Sequence, residues 1–388
     1  MFLRASLLEY TLMKLLVLSA STGGGHDMRA FALSDWWMEK GGKGSEVYHP
    51  LENTFLGYRA GCELYNIIQK KLPLLHFAYF HFLEFAAMHR KASHIIGGQK
   101  FVRKIQAYSP DLIVSTHAHL NHGYYELSRL PSSKASRFVV YCGELADGQG
   151  FSRHWINPKN DLFISPFEEG IRAAQKRGMP TEKTLIGGPL LRKPFYQENQ
   201  KFNRIKVIKA LGFDSQIPIF LLATGANGVN RHISVLKELS NSMIHCQVLA
   251  LCGTNEKTYQ GIINLSLNDC VKVVPYRRIT ADSMVEFLRA STWMLARPGA
   301  GLTTEALATG CPVIFDLSGG CMPQEKNNLN FWGSRTGTLL TAHSPAQLIK
   351  IIRAGNLVPR LNIPLEESPS LLLAHLFRLA RNSHGQRD

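Results

Sequence analysis

The chain is expected to fold as an α/β protein of two doubly wound, Rossmann-like domains, and three observations carry that expectation. Short apolar runs of strand length alternate with helical stretches through both halves. Several of these runs end in glycine turns, as strands do where they feed helices in an open parallel sheet. Between the halves, Gly187-Gly188-Pro189-Leu190-Leu191-Arg192-Lys193-Pro194-Phe195 and a polar stretch to about Lys206 break the pattern. The expected division is an extension over 1–13, a first domain over 14–195, a second over 196–365, and a closing helix over 366–388 that packs back on the first domain.

A chain of 388 residues, 45% of them hydrophobic, has enough apolar surface for two cores and too much for a disordered protein. Its net charge of +15 favours anionic partners. No basic run interleaved with aromatics marks a nucleic-acid groove, so nucleic acid is not an expected partner. Seven cysteines without a CxxC pair read as reduced thiols of a cytoplasmic protein. No uninterrupted apolar run reaches the roughly 18 residues of a membrane span, and the first dozen residues lack a signal-peptide pattern.

The first strand is Lys14-Leu15-Leu16-Val17-Leu18-Ser19. The turn Ser21-Thr22-Gly23-Gly24-Gly25-His26 follows, and then a helix in which Met28, Ala32 and Trp36 recur before Gly41-Gly42. Three adjacent glycines are costly in entropy, which suggests that a ligand needs access to the backbone of Gly23, Gly24 and Gly25. The helix dipole disfavours protonation of His26, and a neutral imidazole there can take a proton from a hydroxyl. No Lys-Ser/Thr follows the glycines, so this is not a Walker loop. Residues 54–108 read as mostly helical. Within them, the aromatic stretch 72–85, flanked by Lys70-Lys71 and Arg90-Lys91, suits either a membrane interface or a core. The strand Asp111-Leu112-Ile113-Val114-Ser115-Thr116 leads to His117, which is expected to line the cleft. His119 and His122 lie close by, but no adjacent acid or thiol completes a zinc set. The strand Arg137-Phe138-Val139-Val140-Tyr141-Cys142 delivers Glu144 to its carboxyl end, where it joins His26 as a catalytic candidate. After Asp161-Leu162-Phe163-Ile164-Ser165, a helix runs to about Gly178.

In the second half, strands are expected near 218–223, 247–251, 271–274, 293–296 and 312–317. The turn after the first of these, Thr224-Gly225-Ala226-Asn227-Gly228, offers backbone donors. The strand Trp293-Met294-Leu295-Ala296 runs into Arg297-Pro298-Gly299-Ala300-Gly301-Leu302-Thr303, which opens a helix. Exposed N–H groups at the positive end of that helix make a seat for a phosphate. At the end of the next strand, Gln324, Glu325 and Asn328 can bond sugar hydroxyls, and a carboxylate such as Glu325 can hold a ribose diol.

Taken in order, these motifs resemble those of the monogalactosyldiacylglycerol synthase and processive diacylglycerol glucosyltransferase family. That family comprises inverting GT-B glycosyltransferases related to the peptidoglycan N-acetylglucosaminyltransferase. The resemblance runs from Lys14 to about residue 355. It rests on Ser21-Thr22-Gly23-Gly24-Gly25-His26, on Pro110-Asp111-Leu112-Ile113-Val114-Ser115-Thr116-His117, and on Glu144-Leu145, Trp155 and Asp161. It continues through Gly188-Pro189-Leu190, Arg297-Pro298-Gly299-Ala300-Gly301 with Glu305-Ala306, and Pro323-Gln324-Glu325 with Asn328. It implies two domains facing a central cleft, a UDP-sugar donor held by the second, a lipid acceptor held by the first, and no cofactor or metal. It also implies attachment to an anionic membrane surface on the cytoplasmic side. His26 falls on the family's base, residues 298–303 on its diphosphate loop, and Glu325 and Asn328 on ribose- and sugar-contacting positions. The chain has Glu144 where the family usually has Asp and Arg297 for the usual Lys, and its glycine cluster at 224–228 is thinned. Two other function classes fit less well. A nicotinamide-dependent oxidoreductase would need a third glycine where Thr304 stands. A non-catalytic binding module leaves Gly23-Gly24-Gly25-His26 and Glu325 unused.

Overall fold

A computed structural model describes residues 13–22, 24–71, 81, 84–85, 89–130, 136–196, 202–223, 231–355, 360 and 369–382. Residues 1–12, Gly23, most of the aromatic stretch 72–85, and the turn 224–228 with Gly225 lie outside the described residues. The chain divides into two compact units, Met1–Leu191 with Leu365–Asp388, and Arg192–Pro364.

The first unit is built on six parallel strands: β1 (Lys14–Leu18), β2 (Gly44–Tyr48), β3 (Leu112–Ser115), β4 (Arg137–Tyr141), β5 (Leu162–Ser165) and β6 (Thr184–Ile186), in the order β2-β1-β3-β4-β5-β6. The inner strands β1, β3 and β4 are apolar runs buried on both faces, as a sheet covered by helices requires. Its helices are α1 (Gly25–Glu39), α2 (Pro50–Thr54), α3 (Leu56–Lys71), α4 (Gly98–Tyr108), α5 (Gly123–Ser128) and α6 (Glu168–Lys176). Ala30, Leu33 and Trp37 of α1 are buried along one face at helical spacing.

The second unit also has six parallel strands: β7 (Ile219–Leu222), β8 (Cys246–Leu251), β9 (Val271–Tyr276), β10 (Trp293–Ala296), β11 (Val313–Asp316) and β12 (Leu340–Ala342). Their order is β12-β11-β10-β7-β8-β9. Helices α7 (Arg204–Ala210), α8 (His232–Asn241), α9 (Glu256–Ile263), α10 (Ala281–Ala290), α11 (Ala300–Thr309), α12 (Pro323–Thr336) and α13 (Pro345–Arg353) flank that sheet. The last helix, α14 (Ser370–Asn382), belongs to the first unit. There Phe377 stacks on Trp37 with ring centroids 4.0 Å apart, and Leu372 faces Gly187.

Each sheet reverses its winding at one place, between β1 and β3 in the first unit and between β7 and β10 in the second. Loops leaving the carboxyl ends of such strands diverge and open a crevice. His26 and His117 come from the loops after β1 and β3 and residues 297–303 from the turn after β10, whereas Glu144 follows β4 and Gln324, Glu325 and Asn328 lie on α12 after β11. All seven cysteines are free thiols.

Candidate active site

In the first unit, the loop after β1 turns at Gly24, whose φ of 77° favours glycine, and enters α1. The loop is braced from several sides. Asp27 accepts hydrogen bonds from Ser19 Oγ (2.6 Å), Ser21 Oγ (3.0 Å) and His49 Nε2 (2.9 Å), while Glu52 accepts from the Ser21 amide (2.7 Å). His26 Nδ1 lies 2.6 Å from the carbonyl oxygen of Thr116, just past β3. A carbonyl only accepts, so Nδ1 carries the hydrogen and Nε2 keeps its lone pair. That bond ties together the two loops at the switch point. The imidazole's pKa is lowered to about 4, first by burial and then by the Arg29 charge. The low pKa thus has causes other than the helix dipole invoked from sequence.

His117 is 6% exposed and both of its ring nitrogens are engaged. Nδ1 accepts from the His119 amide (3.3 Å), so Nε2 donates to Thr22 Oγ1 (3.1 Å). Its ring meets His26 edge-on at 4.5 Å, so it supports that imidazole and offers no free nitrogen to an acceptor. Glu144, just after β4, has its pKa raised to about 6 by burial, against the opposing charge of Arg29. The indole of Trp155, 1% exposed, lies 6.1 Å from the His26 ring, and its N–H has no hydrogen-bond partner. It sits near enough to favour the Glu144 carboxylate without completing a bond. Behind His117, the rings of His119, His154, His89 and His122 continue as neighbours 4.8–6.3 Å apart. Among the described residues, no group of three or more His, Cys, Asp or Glu could hold a metal ion.

In the second unit, Arg297-Pro298-Gly299 follows β10 at the switch point, and Gly299 is the N-cap of α11 without any side-chain cap. The Thr303 amide is already bonded to the Gly299 carbonyl (3.0 Å), so the first-turn amides of Ala300, Gly301 and Leu302 are the ones left for an anion. A Cβ on Gly299 would meet nothing within 4 Å, so the space there is open. The Thr303 side chain is fully buried beneath the turn.

Two residues expected to touch the sugar prove to brace this loop. Asn328, 2% exposed, donates from Nδ2 to the Pro298 carbonyl (2.7 Å). Glu325, 3% exposed, takes a two-pronged bond from Arg297, Nε to Oε1 at 3.0 Å and Nη2 to Oε2 at 2.6 Å, and also caps the Met322 amide (2.8 Å). Arg297 Nη2 further donates to the Gly320 carbonyl (3.0 Å). Both Glu325 oxygens are therefore occupied, and a ribose diol could use only their remaining lone pairs. Gln324 Oε1 and Asn328 Oδ1 are buried without partners, which leaves acceptors at the mouth of α12.

Sequence reasoning missed Arg29, and it missed His89 and His154 as neighbours of His119. Arg29 lies in the second turn of α1 with no local pattern to distinguish it. His89 and His154 come from segments far in sequence that only the fold brings to His119.

No family model matches the chain. Monogalactosyldiacylglycerol synthase 1 of Arabidopsis thaliana is 25% identical over 87% of this chain and 64% of its own length. The processive diacylglycerol beta-glucosyltransferase of Bacillus cereus (strain AH187) is 23% identical over 86% of this chain and 83% of its own. The chain resembles the diacylglycerol glycosyltransferases. It spans about three-fifths of the length of the plant relatives it matches. Among solved structures, MurG of Acinetobacter baumannii matches with a TM-score of 0.53 at 13% identity, covering 95% of each chain. The calicheamicin glycosyltransferase CalG4 matches at 0.54 and 12%, covering 96% of this chain and 95% of its own. UDP-N-acetylglucosamine 2-epimerase of Rickettsia bellii matches at 0.52 and 12%, covering 97% and 96%. At such identities the likeness shows the fold alone, and that fold is the GT-B type. The planar fork of Arg297 explains its two-pronged grip on Glu325, which an ammonium could not make.

Proposed function

We propose that the chain is an inverting glycosyltransferase that moves a hexose from a UDP-sugar to the hydroxyl of a lipid such as diacylglycerol. The observation that carries the reading is the His26–Thr116 hydrogen bond, which leaves Nε2 of a neutral imidazole as a base at the carboxyl edge of the first sheet. The first unit holds the acceptor and the second the donor. His26 Nε2 removes the acceptor proton as the acceptor oxygen bonds to the anomeric carbon and the bond to the diphosphate breaks. The amides of Ala300, Gly301 and Leu302 meet the charge that builds on the leaving UDP, so this step does not call on a metal.

Attachment to an anionic membrane surface belongs to the same reading. Among the described residues, no helix is long and apolar enough to cross a membrane. Leu56, Leu64 and Ile67 of α3 are 78%, 48% and 49% exposed, and Phe85 is 86% exposed. Apolar side chains of this kind, on a chain of net charge +15, suit a helix lying in a lipid interface on the cytoplasmic side. Ligand-induced thermal stabilisation tests the donor half of the proposal. UDP or a UDP-sugar should raise the melting temperature and NAD should not. A shift with NAD alone would return the oxidoreductase reading.

A further inference from the structure

Arg29 is 8% exposed in the second turn of α1, and its hydrogen bonds run to carbonyl oxygens, Nη2 to Gly143 (3.0 Å) and Nη1 to Gly25 (3.3 Å). Among the described residues, no carboxylate stands within ion-pair distance of it. Burying a guanidinium without an ion pair is costly. The chain also makes room for it, because a Cβ at Gly143 would fall 2.3 Å from the guanidinium carbon. The group so accommodated holds the carbonyls of Gly25 and Gly143, the residues just before His26 and Glu144, and its charge acts on both side chains.

We infer that Arg29 is a positioning residue for the proposed transfer: its guanidinium pins the loop carrying Glu144 to the helix carrying His26, and its positive charge opposes a second positive charge on the His26 imidazole. This rests on the transferase reading for its purpose but not for its physics. The other groups that face His26 are Asp27 on its own helix, the Thr116 carbonyl and His117 beyond β3, and Trp155. Asp27 pulls toward protonation, and its carboxylate is already shared among Ser19, Ser21 and His49. The positive charge of Arg29 works in the opposite direction.

The test is an NMR titration of the His26 ring in the full chain, without donor or acceptor, for the wild type and for Arg29→Gln, Arg29→Lys and Gly143→Ala. In Arg29→Gln the His26 pKa is expected to rise by about one unit, and the acid limb of kcat/KM to move with it. Arg29→Lys, which keeps the charge, should hold the titration near wild type. Gly143→Ala, which displaces the guanidinium, should move it in the same direction as Arg29→Gln. A His26 titration unchanged in folded Arg29→Gln overturns the inference. If that variant does not fold, an unchanged titration in Gly143→Ala overturns it instead. Because the titration uses no sugar or lipid, its failure leaves the transferase reading standing, and an enzyme inactive on every UDP-sugar leaves the titration result standing.

Discussion

At the scale of single residues, His26 is set by one hydrogen bond, its burial and one neighbour. The Thr116 carbonyl fixes the tautomer, and burial, followed by the Arg29 charge, disfavours the imidazolium. His26→Ala should lower turnover by about 10²–10⁴-fold. Its affinity for UDP, measured by calorimetry, should stay at the wild-type value, since the donor residues lie in the other unit; near-wild-type turnover would remove His26 from the mechanism. Glu325 calls for a different experiment. Its carboxylate is buried, paired with Arg297 and capping α12, so Glu325→Gln leaves a partly buried guanidinium without its counter-charge. The variant should lose about 3 kcal/mol of stability by denaturant titration and bind UDP more weakly. Unchanged values of both would show that the pair does not organise the donor loop. His26 and the loop at 297–303 were legible in sequence because glycine turns and a helix start mark them locally. The Arg297–Glu325 pair was not, because the two residues lie 28 positions apart and each reads alone as a ligand contact.

At the scale of elements, the inner strands and the edge strand β9 could be read from the sequence, and the other three outer strands could not. β2 is only half-buried along its length, and β6 and β12 are three residues each, so none carries the apolar run of a covered strand. A histidine group gathers from the loops after β1, β3 and β4 and from His89 ahead of α4, and spacing in the sequence announces only His117, His119 and His122. His26, His89 and His122 have pKa values lowered to about 4, and those of His117 and His119 lie well below the usual range, with burial the first cause in every case. The unfolded chain therefore takes up protons before the folded one does. Stability from these residues is complete above about pH 6.5 and falls as the pH drops towards 4, each histidine adding a slope of up to about 1.4 kcal/mol per pH unit. Denaturant midpoints measured between pH 7 and pH 4.5 should fall steeply, and His119→Gln should flatten the fall. A midpoint independent of pH across that range would contradict the burial of these rings as neutral groups.

At the scale of the whole molecule, two parallel sheets with different strand orders each bring one candidate loop, that of His26 and that of residues 297–303, to their own switch point. Alternating strands and helices made that plan legible, together with the break after Gly187. The return of the last helix to the first unit was expected from sequence, but not the stacking of Phe377 on Trp37, because that contact joins residues 340 positions apart. The exposed face of α3 bears on where the molecule works. Leu56→Glu with Ile67→Glu should weaken co-sedimentation with anionic vesicles and leave UDP affinity unchanged; undiminished vesicle binding would move the membrane contact elsewhere. The central claim is the transfer itself, and product analysis tests it most directly. Incubated with a panel of UDP-hexoses and diacylglycerol-containing vesicles, the protein should yield a lipid heavier by one hexose, joined through a bond of inverted anomeric configuration. Retained configuration in the glycolipid, or intact donor with no glycolipid from any UDP-hexose, would contradict the account.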